Sequence, residues 1–246
     1  MAVGVLRRTP IATVVLCLGM AAGLAAADMA ADKVALGRLQ EFVGSWRGVG
    51  QPRRGSTQGA WTETADWAWK FAEGRATLVF DAPKGKYYRT ATLSPGDDDR
   101  TFNLVAQRAD DSGEDRFAGK LDENDELVLL AANAEGRPAD APGRITIRTV
   151  ADGDRLLVLY EKHTGGDRYS RLAEVGYTRA GISFAKGSGE PECVVTGGLG
   201  TIAVEYRGKK YYVCCTGCRD LFNDDPEDVL ADYRERKAAE REKATK

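Results

Sequence analysis

The segment WTETADWAWKF, residues Trp61–Phe71, alternates bulky apolar side chains with polar ones. Successive side chains of a β-strand point to opposite faces, so residues of one parity share a face. The apolar members of this face are Trp61, Ala65, Trp67, Trp69 and Phe71. A face with three tryptophans is large and apolar, and we expect it to point into a core.

Nine further short segments with strand character surround this one. Turn residues separate them at regular intervals, as in Pro83–Gly85 and Asp122–Asn124, which favours an antiparallel β-barrel or sandwich. The predicted strands are Ser45–Val49, Trp61–Phe71, Ala76–Asp81, Tyr87–Leu93, Thr101–Arg108, Arg116–Leu121, Glu126–Ala131, Arg144–Val150, Arg155–Glu161 and Arg171–Thr178.

A short amphipathic helix over Asp32–Val43 precedes the strands and ends at Gly44. The following Gly44-Ser45-Trp46 resembles the G-x-W start of lipocalin-like barrels. Together with Gly176–Arg179, this region also resembles uncharacterised bacterial barrel domains that are related in shape to nitrobindins. The resemblance implies an antiparallel lipocalin-like barrel over residues 28–186. It also implies that Trp46 closes one end, around either a small hydrophobic ligand or a filled interior.

Haem binding of the nitrobindin type needs a proximal histidine, and His163 is the one histidine of the chain. It lies beside the predicted hairpin turn Thr164–Asp167. The sequence therefore favours an exposed turn histidine over a haem ligand at this position.

The composition is that of a soluble globular protein, with 246 residues and a net charge of −2. A nucleic-acid-binding protein should have a basic face, so nucleic acid is not an expected partner. Charges of both signs alternate in the tail Arg234–Lys246, which is typical of a solvated helix face.

Residues 1–27 have the pattern of a signal peptide. Arg7 and Arg8 precede an apolar run, Ile11–Leu24, and Ala25–Ala27 offers a cleavage site. The apolar run is short for a membrane span, and no second one follows it. We expect an exported protein, periplasmic or secreted, with no stable membrane span after cleavage.

Cysteines cluster near the C-terminus, where Cys193, Cys214 and Cys218 form the pattern C-x20-C-x3-C and Cys215 is an additional thiol. They belong to a predicted small α+β module over residues 187–246, separated from the barrel by the linker Lys186–Pro191. Its strands, Thr201–Glu205 and Lys210–Cys214, form a hairpin, and a short helix begins near Cys218. Asp225 and Pro226 then have the cap and first-turn roles of a second helix, which carries the charged tail. A core this small needs a staple, and the cysteines can supply one.

This module resembles the TRASH/YHS family of metal-binding modules. The matching segments are Glu190–Cys193, Val204–Cys214, Thr216–Phe222 and Asp225–Glu227. The resemblance implies that Cys193, Cys214 and Cys218 are ligands of a soft or heavy metal ion, such as zinc or copper, in metal sensing, transport or resistance. Two positions depart from the family pattern: Val194–Thr196 replaces the Gly-Met that often follows the first cysteine, and Cys215 stands where serine is frequent.

Thiolate chemistry supports a soft ion independently, because sulfur ligands prefer Zn(II) or Cu(I) over Mg²⁺ or Ca²⁺. A fourth ligand could be Cys215, Glu192 or water. Two alternatives stay open for the same thiols. Cys215-Thr216-Gly217-Cys218 is a C-x-x-C at a helix start, which suits thiol–disulfide exchange, and four cysteines in an exported protein could instead form structural disulfides. A ligand-carrying barrel is compatible with either alternative. One exposed histidine argues against a catalytic triad, and no enzymatic activity is predicted.

Overall fold

Ten antiparallel strands close into a barrel in which each strand pairs with its neighbours in sequence and β1 pairs with β10. The computed structural model describes residues 28–132, 138, 140–180 and 191–244. The strands are β1 Gly44–Gln51, β2 Trp61–Ala72, β3 Arg75–Asp81, β4 Tyr88–Pro95, β5 Thr101–Arg108, β6 Glu114–Leu121, β7 Leu127–Ala131, β8 Arg144–Val150, β9 Arg155–Gly165 and β10 Arg168–Arg179. The mainly β fold and the ten predicted barrel strands are thereby confirmed. The predicted signal peptide and the linker after Lys186 lie outside the described residues.

Strand β2 carries the tryptophan face that the alternation predicts. Ala65, Trp67 and Trp69 are all buried, whereas the intervening Asp66 is exposed and Ala68 is half-buried. Trp67 packs against Phe80 with ring centroids 5.2 Å apart. Alternation of buried and solvent-exposed side chains along a strand is the normal pattern of an antiparallel sheet that covers a core on one face.

One end of the barrel is closed by the residues that precede β1. Residues 28–37 are helical (α1), and a 3₁₀ turn follows at Gln40–Phe42. The side chains of Leu36, Leu39 and Phe42 in this segment are buried, and the indole of Trp46 donates a hydrogen bond to the Phe42 carbonyl at 2.8 Å. The resemblance led us to expect Trp46 at a closed end, and its 1 % exposure fits that position.

Arg179, at the end of β10, holds the segment that closes this end of the barrel. Its guanidinium lies 4.2 Å from the Trp46 ring and donates to the carbonyls of Val43 and Glu41, each at 2.7 Å. Burial lowers the pKa of Arg179 against the opposing effect of Asp154 and Glu41. The last strand thus holds the chain segment that enters the first.

The chain after Pro191 forms a hairpin and two helices: β11 Ile202–Tyr206, β12 Lys209–Val213, α2 Thr216–Asp224 and α3 Pro226–Ala244. Arg207 and Gly208 both have positive φ, as the tight hairpin turn requires. Asp225 accepts the Asp228 amide at 3.1 Å, so it caps α3 with Pro226 at the first helical position. These elements agree with the sequence-based expectation to within a residue or two.

Candidate metal centre

Three buried thiols meet where the loop before β11, the end of β12 and the start of α2 come together. The sulfur atoms of Cys193, Cys214 and Cys218 all lie within 4.8 Å of one another. Cys193 and Cys218 are fully buried, and Cys214 is 6 % exposed. The structure therefore brings together the three cysteines that the spacing singles out.

Local structure explains how distant residues reach one point. Cys214 directly follows β12, and Cys218 is the third residue of α2, so a single tight connection carries both. Cys193 comes from a separate loop, which β12 holds in place because the Val194 amide donates to the Tyr212 carbonyl at 2.9 Å. Val194, Val213 and Phe222, which belong to the same three segments, are buried as well.

The sulfur separations suit a metal better than a disulfide. The Sγ atoms of Cys214 and Cys218 are 3.5 Å apart, whereas a disulfide bond is about 2.05 Å long. Tetrahedral zinc with Zn–S bonds of about 2.3 Å has sulfur–sulfur edges of about 3.8 Å. All four described cysteines are free thiols. The donor set thus fits a thiolate-bound metal ion.

Protonation of the cluster is shared among its members. Hydrogen bonds from Cys214 and Cys218 lower the pKa of Cys193, and the neighbouring thiols Cys214 and Cys218 likewise lower the pKa of Cys215. The pKa of Cys218 is raised, first by burial and then by its hydrogen bonds to the other cysteines. The thiolates of Cys193 and Cys215 are therefore stabilised by their neighbours, while removing every proton leaves several buried negative charges together. A bound cation would relieve that repulsion.

Cys215 points towards the barrel. Its sulfur accepts a hydrogen bond from the backbone N–H of Trp69 at 3.3 Å. Strand β1 pairs with β2 only as far as Trp67, so the backbone of β2 beyond that point has no partner in β1. Cys215 therefore contacts the open edge of β2, and it lies outside the group of three sulfurs. Its lesser role in metal binding stays a prediction.

Gly217 lies against the same edge. A Cβ atom on Gly217 would be 1.5 Å from the Trp69 carbonyl oxygen, so only glycine permits this approach. Trp69 also donates from its indole to the Gln40 side chain at 3.0 Å. The start of α2 is thus docked on the barrel through Trp69. Sequence reasoning missed this contact.

Glu192, a candidate fourth ligand, has other partners. Its carboxylate accepts from Arg236 at 3.2 Å and from Lys237 at 3.0 Å, both on α3. The tail was predicted to be a solvated helix face, but these two side chains are half-buried against the Cys193 loop. No signal in the sequence distinguishes them from the other charges of the tail.

The remaining candidate features lie elsewhere. His163 is exposed on β9, with its Nε2 2.6 Å from the Gly166 carbonyl oxygen.

The barrel interior between Trp67, Tyr88 and Tyr160 encloses about 20 Å³, which is room for about one water. Pockets that hold small ligands are usually about 300–1,000 Å³, so the described interior offers little support for a carrier. Among the described residues, no helix is both long and apolar enough to span a bilayer.

Comparisons with known proteins do not assign this chain to a family. No protein-family model matches it, and no curated protein matches it. Among solved structures, the chain is similar to one titled "Crystal Structure of Rv2717c from M. tuberculosis". That match has 19% sequence identity and a TM-score of 0.39, and it covers 59% of this chain and 96% of that chain. A likeness with this TM-score carries no argument about fold or function.

Proposed function

We propose that this chain is an exported metal-binding protein that holds one soft metal ion, Zn(II) or Cu(I), with the thiolates of Cys193, Cys214 and Cys218. The observation that carries the proposal is the buried group of three sulfurs within 4.8 Å of one another. The resemblance of residues 187–246 to TRASH/YHS modules supports the same ligands. The signal-peptide pattern of residues 1–27 supports export.

The residues around the sulfurs suit metal handling rather than metal catalysis. The thiols are buried, Cys215 contacts the edge of β2, and Cys214 and Cys215 lie in the wall of a groove between barrel and module. When bound, the metal ion would replace the protons that the thiols share and would staple the hairpin to α2. The protein would then store, deliver or sense the ion, or use it to fold.

Metal titration of the reduced protein tests the proposal. Purified chain, kept reduced and stripped of metal, is titrated with zinc and with copper(I) against a competing chelator. We expect one equivalent to bind with protection of three thiols from alkylation. Failure of both ions to bind, or protection of no thiol, would contradict the proposal.

Thiol–disulfide exchange is the second candidate, because Cys215 directly precedes α2 and the neighbouring thiols Cys214 and Cys218 lower its pKa. A low pKa at a helix start is the property of attacking thiols in that chemistry.

Timed air oxidation separates the two candidates. If the thiols are metal ligands, bound zinc should slow disulfide formation and oxidation should expel the metal. Equal oxidation rates with and without metal would favour the redox or structural-disulfide alternative.

A further inference from the structure

Arg236 of α3 reaches across to the loop that carries Cys193. Its Nη1 donates to the Val195 carbonyl at 3.4 Å, and its Nη2 shares its hydrogens between the carbonyls of Cys193 and Val194, each at 3.3 Å. The same group also donates to the Glu192 carboxylate. A planar guanidinium presents its donors in a fixed fork, which lets one side chain hold several acceptors at once.

The loop that carries Cys193 lies between the thiols and Arg236. On one side, the hydroxyl of Thr196 lies 3.5 Å from the sulfur of Cys214. On the other side, the carbonyls of Val194 and Val195 face Arg236. The positive charge of Arg236 therefore lies across the loop from the group of thiols, and charge-assisted hydrogen bonds are stronger than neutral ones.

Arg236 is itself held in place. Glu192 accepts from both Arg236 and Lys237, so the carboxylate connects the loop to two successive residues of α3. The guanidinium lies 5.3 Å from the ring of Tyr233, one turn earlier on the helix. Gly197 has a φ of +82°, a backbone conformation that favours glycine, and a Cβ there would be in ordinary contact with Arg236 Nε at 3.7 Å.

A centre of three thiolates needs such a partner. With Zn(II) its net charge is −1 and with Cu(I) it is −2, and an anionic group in an apolar site is costly unless a positive charge or hydrogen bonds offset it. We propose that Arg236 is a positioning residue of the metal centre, which fixes the Cys193 loop and offsets the negative charge through the loop's peptide groups. This inference rests on the proposed function.

Three variants of the full chain test it. Arg236→Gln removes the charge and the fork, Arg236→Lys keeps the charge, and Arg234→Gln removes an exposed charge two residues earlier. Loss of an outer-shell partner typically weakens metal binding by about 10–100-fold. We expect that loss for zinc in Arg236→Gln, a partial rescue in Arg236→Lys and wild-type affinity in Arg234→Gln.

Cobalt(II), used as a probe in place of zinc, reports on the geometry of the site through its visible absorption. We expect altered band positions in Arg236→Gln and wild-type bands in Arg234→Gln. Wild-type affinity and wild-type bands in Arg236→Gln would overturn the inference. A weaker affinity that only mirrors lower thermal stability of the metal-free protein, with unchanged cobalt bands, would overturn it too. If the wild-type chain binds none of these ions, the proposed function itself fails.

Discussion

At the scale of single residues, two arginines in different parts of the chain each bind the backbone carbonyls of a distant segment. Arg179 holds the carbonyls of Glu41 and Val43 at the closed barrel end, and Arg236 holds those of Cys193–Val195 beside the thiols. Backbone carbonyls are present at every position, so no sequence pattern reveals which arginine will bind them. The cysteine spacing, in contrast, does predict which sulfurs meet.

Cys215 tests whether contact with the barrel is separate from metal binding. Cys215→Ala leaves the buried Trp69 N–H without an acceptor, which should cost about 1–3 kcal/mol of the free energy of unfolding. Cys215→Ser keeps an oxygen acceptor and should lose less. Both variants should retain wild-type metal content, because the three other sulfurs are unchanged. Chemical unfolding and metal analysis check this, and a Cys215→Ser protein without metal would show that Cys215 is a ligand.

Asp32 gives a residue-scale prediction with a pH dependence. Burial raises the pKa of its carboxyl, but hydrogen bonds from Arg75 and the Ala76 amide, and the charge of Arg75, outweigh burial and leave the pKa below its usual value. Because the pKa is lowered in the folded state, the stabilisation is fully present above the unfolded value of about 3.9 and is lost as pH falls through the folded pKa.

Asp32→Asn should therefore lower the free energy of unfolding by about 1–3 kcal/mol at pH 7. We expect the lower end of this range, because Arg75 is 56 % exposed and solvent weakens its interaction with Asp32. The difference from wild type should shrink as the pH falls below about 4. Urea unfolding at pH 7 and at pH 3 measures both values. A difference that is equal at the two pH values would mean that the ionised carboxylate does not account for the stabilisation.

At the scale of secondary-structure elements, the predictable part of the fold is the part set by local pattern. Alternation predicts the barrel strands, and Asp225-Pro226 predicts the start of α3, because both signals act over a few residues. The docking of α2 on β2 is different. It depends on β2 continuing to Ala72 while its pairing with β1 stops at Trp67, and that difference is visible only in the register.

Gly217→Ala tests this docking. Alanine is normally the better helix residue by about 1 kcal/mol, but here its methyl group would collide with the Trp69 carbonyl. We expect a loss of about 1–3 kcal/mol, because an added methyl group in a tight contact forces the elements apart. Gly37→Ala is the matched control, since α1 leaves open space around that position. If Gly217→Ala is as stable as Gly37→Ala, α2 does not rest on β2 in solution.

At the scale of the whole molecule, barrel and module share one set of buried contacts. Residues of the cysteine module, such as Cys215 and Phe222, belong to the same cluster of buried side chains as Trp69 of the barrel. The barrel still has its own aromatic core and closed sheet and has reason to order by itself, whereas the small core of the module needs the cysteines as a staple. We expect the contact at Trp69 to make the stability of one depend on the state of the other.

A chain that ends at Lys186 measures that dependence. It should give a β-rich circular dichroism spectrum and unfold cooperatively, but at a lower temperature than the full chain, since the edge of β2 loses its cover. Zinc should raise the unfolding temperature of the full chain and leave that of the shortened chain unchanged, because only the full chain has the site. A shortened chain that does not fold would show that the barrel needs the module.

The central claim is that Cys193, Cys214 and Cys218 together hold one metal ion, and the metal content of single-cysteine variants tests it most directly. Native mass spectrometry of the reduced, zinc-loaded protein should find one metal ion in the wild type and in Cys215→Ser. Cys193→Ser, Cys214→Ser and Cys218→Ser should each lose most of it, because two thiolates cannot reproduce a site made by three. Wild-type metal content in all three of these variants would contradict the account.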